Sequence, residues 1–103
     1  MITIIYDARN GIAIPEGQIS DVVDSIVESG RMGRDETHMF STSIVIDALR
    51  LAVKEKRINH DQIVFSFNNQ TIRVDPFGNL EQWSEGFCDL WTKILIELID
   101  WDA

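Results

Sequence analysis

Few side chains in this sequence could do chemistry, and they are scattered. Asp7 closes the apolar run Ile2-Thr3-Ile4-Ile5-Tyr6, and α/β proteins place ligand-contacting groups just beyond the carboxyl ends of their strands. An Asp in that position serves equally well as a turn former, because its carboxylate accepts from nearby backbone N–H groups. His38 and His60 are the only histidines and lack the spacing of a helical metal pair. They read as strand and loop residues. Cys88 is the only cysteine, which excludes a disulfide framework and a thiolate zinc site. It lies between Phe87 and Asp89 near the start of an amphipathic stretch, not in the electropositive setting that activates a thiol. The phosphate-loop pattern G-x-x-x-x-G-K-[ST] is missing, since Gly30-Arg31-Met32-Gly33 is too short and has no Lys. There is no G-x-S-x-G elbow to activate a serine. The expectation is a chain with no catalytic residue, no metal site and no cofactor, in which Asp7 is the one candidate ligand contact.

The elements that would position Asp7 follow from hydrophobic periodicity. Ile2 to Asp7 fits a buried strand. After a loop marked by Gly11 and Pro15, Ile19, Val22, Val23, Ile26 and Val27 recur at helical spacing, predicting a helix over Glu16–Ser29 with Gly30 as its left-handed cap. Glu36–Phe40 reads as a short strand. Thr42 or Ser41 is placed to cap a second helix over Thr42–Lys56 with its hydroxyl. Ile63–Phe67 and Thr71–Val74 flank Asn68-Asn69, and Asn tolerates the positive φ of a tight hairpin turn. Asp75 to Asn79 is a second turn. A last helix is expected over Ser84–Asp100, with Phe87, Trp91, Leu95 and Leu98 on one face against Phe65, Phe67, Ile72 and Val74. The order is β-α-β-α-β-β-α. It predicts a small α/β unit: a parallel strand pair with a right-handed helix crossover, plus an antiparallel hairpin and a closing helix.

At 103 residues, 45% of them hydrophobic, the chain is long enough for one core and reads as a single domain over 1–103. No apolar run approaches the ~20 residues of a membrane span. The N-terminus has no basic region and no small-residue cleavage site, so it reads as a strand and not a secretory signal. With one cysteine, the expected setting is cytoplasmic. The 17 acidic and 9 basic residues give a net charge of −8. That balance argues against binding a phosphate backbone directly, which depends on Lys and Arg. It leaves two readings open: solubility, or an acidic surface that mimics nucleic acid against a basic enzyme.

Taken in order, these segments resemble the C-terminal half of the ABC-type ATPase domain in the prokaryotic family related to the overcoming-lysogenisation-defect and SMC-like ATPases. Ile4-Ile5-Tyr6-Asp7 looks like the Walker B strand, with Asp7 at its magnesium-associated Asp. Ile14-Pro15-Glu16-Gly17-Gln18 is similar to the His-Pro-x-x-Gln segment that opens the next helix. Phe40-Ser41-Thr42 falls where a strand would end in Thr-His-Ser, ahead of the Leu49-Arg50 pair. Val74-Asp75, Gly78 and Trp83 to Asp89 track the family's tail. The departures are informative. The catalytic Glu would fall at Ala8 and the switch His at Ser41, with Thr37-His38 an alternative that leaves three extra residues before Leu49-Arg50. Family histidines become Ile12 and Ile14. The phosphate loop and the signature segment have no counterpart, and phosphoryl transfer needs these parts together. The apolar replacements imply that the former site is filled in.

The resemblance implies a non-catalytic interaction or regulatory protein, in phage defence or counter-defence. Its partner would be a full-length related ATPase or a second copy, with no direct nucleic acid and no membrane. Trp101, past the best-patterned part of the last helix, is the candidate partner contact. The alternatives are the acidic mimic and a small-ligand or nucleotide binder that uses Asp7. In the related ATPases the phosphate-loop strand lies beside the strand corresponding to Glu36–Phe40. Its absence leaves either a hairpin in the gap or an open edge.

Overall fold

The structure, a computed structural model, describes residues 1–81. The predicted final helix over Ser84–Asp100 and Trp101 lie outside the described residues. Within them the fold is mixed α/β: a four-stranded sheet covered on one face by two helices. The strands are β1 (Ile2–Tyr6), β2 (Glu36–Phe40), β3 (Ile63–Phe67) and β4 (Gln70–Arg73), and the helices are α1 (Ile19–Arg31) and α2 (Ser43–Lys54). Single 3₁₀ turns at Glu16–Gln18 and His60–Gln62 precede α1 and β3.

The sheet order is β2-β1-β3-β4. β1 lies parallel to both neighbours, with Ile4 beside His38 on one side and Phe65 on the other, and β4 closes an antiparallel hairpin. The expected parallel pair therefore becomes three parallel strands, because the hairpin attaches through β3 to the flank of β1 opposite β2. The chain crosses the sheet in one direction through α1 and in the other through α2. Since α1 and α2 pack together over the same face, the two crossovers have opposite hands. The right-handed rule holds for only one of them.

The core follows from alternation. Ile2, Ile4, Ile63, Phe65 and Ile72 point to the helices and are fully buried. They meet Val23, Ile26 and Val27 of α1 and Val45, Ile46, Leu49, Ala52 and Val53 of α2. Phe65, Ile72 and Val74, which the sequence offers to the final helix, thus belong to the core shared with α1 and α2. Asn68 and Asn69 adopt φ values of 51° and 63°, the left-handed pair that a two-residue hairpin turn requires. The left-handed residue after α1 is Gly33, at φ 72°, not Gly30, which remains inside the helix.

Candidate functional site

Two concave regions lie at different ends of the sequence argument. The first is the cleft at the carboxyl ends of β1 and β3, about 580 Å³ in volume, where Asp7, Arg9 and Asn10 face Ser66, Asn68 and Asn69. Asp7 stands where the strand pattern puts it. Its carboxylate, however, is engaged by its own loop. Oδ1 accepts the backbone N–H groups of Arg9 (2.9 Å) and Asn10 (3.0 Å), and Oδ2 accepts the Asn10 side-chain amide at 3.2 Å. The Asp7 carbonyl also accepts the Gly11 N–H at 3.0 Å. These donors, the Asn10 amide first and the Arg9 amide next, hold the Asp7 carboxyl below its ordinary pKa. Three local donors tie this anion into a turn.

The turn carries the chain across the carboxyl end of β2. The Ile12 N–H donates to the Met39 carbonyl (2.9 Å) and the Ser41 N–H to the Ile12 carbonyl (3.0 Å), a one-residue parallel bridge. Gly11 permits it, because a Cβ there would lie against the Phe40 and Ser41 backbone. Beyond the bridge, the Ile14 N–H donates to Thr42 Oγ1 at 2.9 Å. That hydroxyl is one of the two, with Ser41, expected to cap α2, and α2 has no side-chain cap. Of the three apolar replacements, Ile12 is 64% exposed and Ala8 is exposed with it, while Ile14 is partly buried against the core. Ser41 is half-buried and joined through its backbone.

The second region escapes the motif reading. It is a groove of about 520 Å³ between α1 and the outer side of β2, walled by Val22, Ile26, His38 and Phe40, with Gln18, Asp21 and Ser25 along its helix rim. Glu36, His38 and Phe40 share the helix-facing side of β2. His38 Nε2 meets Glu36 Oε1 at 2.9 Å, and the imidazole stacks with Phe40 at a centroid distance of 5.9 Å and an interplanar angle of 2°. The hydrogen bond with His38, and a further one with Ser29, lower the Glu36 pKa. His38 therefore belongs to this groove wall, while His60 lies in the exposed turn before β3. The signal for the groove is the polar pair Glu36 and His38 at inward-facing positions, which marks a strand that the helix layer covers incompletely.

Beside the groove runs the free edge of β2. Glu36 donates its N–H to the Met1 carbonyl and Phe40 accepts from the Asp7 N–H, so residues 36, 38 and 40 point their backbone groups toward β1. Residues 37, 39 and 41 point outward. Ile12 satisfies the Met39 carbonyl and the Ser41 N–H. The N–H and carbonyl of Thr37 and the N–H of Met39 have no partner among the described residues.

Among the described residues no group of His, Cys, Asp and Glu is arranged to hold a metal ion, and no helix is long and apolar enough to cross a membrane. Asp47 is the one described acid whose pKa is raised. Burial pushes it up against the pull of Arg50, and its Oδ2 finds no donor among the described residues. No protein-family model, no curated protein and no solved structure matches the chain.

Proposed function

We propose that this chain is a non-catalytic interaction protein that engages another protein through the outer edge of β2. The observation that carries the reading is the row of backbone groups at Thr37 and Met39 with no partner among the described residues, beside the α1–β2 groove, since such an edge is a template for pairing. The engagement of the Asp7 carboxylate in its own turn, and the lack of a phosphate-loop pattern in the sequence, support the non-catalytic part. The resemblance to an ATPase half-domain supplies the rest of the proposal: a cytoplasmic regulator or accessory subunit in phage defence or counter-defence, with a full-length related ATPase as partner. In that family a phosphate-loop strand would lie on the flank of β2 that is open here.

Two measurements test this. Titration with ATP and Mg²⁺ is expected to show no binding that depends on Asp7; micromolar affinity abolished by Asp7→Ala would overturn the non-catalytic reading. Affinity capture from the native host, with mass spectrometry, is expected to recover a protein that is lost with Thr37→Pro. Proline removes the outward N–H and is tolerated at a strand edge. Recovery of no specific protein by the unmodified chain would refute the interaction reading.

A further inference from the structure

We infer that the occupant of the β2 edge is an extended, basic segment of a partner, added to the sheet as a strand with alternate side chains in the α1–β2 groove. This inference rests on the interaction reading and names the chemistry of the partner. The backbone supplies the first part of the argument. Thr37 offers both N–H and carbonyl to one side, the pair that an antiparallel neighbour exchanges with a single residue, and the Met39 N–H extends the ladder by one bond. Ile12 blocks the edge beyond Met39, so the register is limited to the stretch before it.

So few main-chain bonds give little affinity alone, and the groove supplies the remainder. In an added strand, side chains on one face recur every second residue, about 7 Å apart. On the helix-facing side they would enter the space walled by Val22, Ile26 and Phe40. Strand addition with pockets for alternate side chains is a recurring mode of peptide recognition. Charge decides the partner's sign. Asp21 stands exposed on the groove rim, Glu28 lies exposed on the same helix, and among the described residues no Lys or Arg lines the groove; Asp24 is ion-paired with Arg57 and adds no free charge. The net charge of −8 adds a field that attracts cations over longer range. A second copy brings the same acids to the contact, which disfavours it as the occupant.

The test uses the full chain, isotope-labelled for amide NMR, and three seven-residue probe peptides with blocked ends. One carries lysine, valine and lysine at its even positions, which share the helix-facing side, with threonine between them; one replaces each lysine with glutamate, and one is the lysine peptide with N-methylated alternate amides. The lysine peptide is expected to shift and protect the Thr37 and Met39 amides and to perturb Val22 and Ile26. The glutamate peptide should bind at least about tenfold more weakly, and added salt should weaken the lysine peptide. The N-methylated peptide should fail, because it cannot complete the ladder. Asp21→Lys, an exposed substitution that leaves the core untouched, should weaken the lysine peptide and improve the glutamate one. The inference is overturned if the peptides bind elsewhere, bind without regard to charge, or do not bind at millimolar concentration. It is also overturned if sedimentation equilibrium shows a dimer whose interface already protects Thr37 and Met39. A negative peptide result beside a positive capture from the host would sink this inference and leave the interaction reading standing.

Discussion

The two edges of the sheet are finished by loops of the same design, and they end in opposite conditions. After β1, Asp7 accepts the N–H groups of Arg9 and Asn10, Gly11 passes against the backbone of Phe40 and Ser41, and Ile12 makes an isolated bridge to Phe40. After β4, Asp75 accepts the N–H groups of Phe77 (2.8 Å) and Asn79 (3.0 Å), Gly78 passes against the Arg50 carbonyl, and Leu80 bridges Val74. At β4 the returning chain goes on to pair, with the Glu81 N–H on the Arg73 carbonyl at 2.9 Å. The Arg50 side chain fastens the loop to α2 through the Gly78 carbonyl at 2.8 Å. At β2 the bridge covers the carboxyl end alone. The inward residues differ in the same sense: Ile72 and Val74 on the β4 side, Glu36 and His38 on the β2 side. Among the described residues, one edge is built into the core and the other keeps Thr37 and the Met39 N–H without a backbone partner. In both loops the Asp carboxylate accepts the N–H group two residues on, the bond that shapes an Asx turn.

The largest expected effect contrasts side chains of the two edge strands. Ile72 is fully buried, and Ile72→Ala should cost about 2–5 kcal/mol through lost burial and the cavity left behind. Met39, at 36% exposure among the described residues, faces the side of the sheet away from α1 and α2, and Met39→Ala should change stability by no more than about 0.5 kcal/mol. Denaturant unfolding of both variants checks this. Equal losses would mean that the β2 side is as closely packed as the β4 side.

Next come the two glycines. Gly78 combines φ 83° with a Cβ position occupied by the Arg50 carbonyl. Gly78→Ala should therefore cost about 1–3 kcal/mol, since a non-glycine residue in that region is strained even before the clash. Gly11 has no such φ, and its substitution should push the 7–12 loop off β2. That would release the Ser41 N–H and the Ile12 N–H, at about 1 kcal/mol per hydrogen bond lost. Amide exchange separates the cases. Gly11→Ala should speed exchange at Ser41 and Ile12 while the core amides stay protected, and Gly78→Ala should lower protection throughout.

Much of this architecture was legible in the sequence. The strand Ile63–Phe67, the Asn68-Asn69 turn and the apolar stripe of α1 emerged directly, because alternation, positive-φ residues and helical spacing are local signals. The Glu36–Phe40 strand was equally plain. What local signals cannot carry is the choice of neighbour. Nothing in Ile63 or Phe65 says that β3 pairs with β1 instead of β2, and the handedness rule argues against the arrangement found. The hydroxyl of Thr42 has the right type for a cap, but Ile14, distant in sequence, competes for it. Asp7 was legible as a turn former and as a ligand contact alike, and the positions of the Arg9 and Asn10 amides show the turn. The groove went unread because its wall combines α1 and β2, whose residues are unremarkable one by one.

The smallest expected effect is a difference of sign between two acids, one in each loop system. Asp7 shapes the loop that guards β2. Its folded pKa is held below the usual Asp value of ~3.9 by the Asn10 and Arg9 amides. A depressed pKa contributes stability that is present above the unfolded value and is lost as pH falls through the folded one. Asp47, whose Oδ1 holds Arg50 at 3.1 Å and so supports the Gly78 contact, has its pKa raised by burial. Here the folded state takes up its proton first as pH falls, so the native state gains stability across the window between the raised folded pKa and the unfolded one. Substitution by Asn keeps an acceptor in each place and removes the titration. Compared with the parent chain, Asp7→Asn should be less stable at pH 7, and the gap should close as the pH falls from the ordinary Asp value through the lowered folded one. For Asp47→Asn, the parent should gain on the variant as pH falls from neutrality into the ordinary carboxylate range. Because Asp7 is solvated, its effect will be the smaller and will shrink further in salt. Denaturant midpoints measured between pH 7 and pH 3 read both slopes. Parallel pH profiles for the two variants would mean that Asp47 is not desolvated as the packing around α2 implies, and the contrast between the two loop systems would then rest on shape alone.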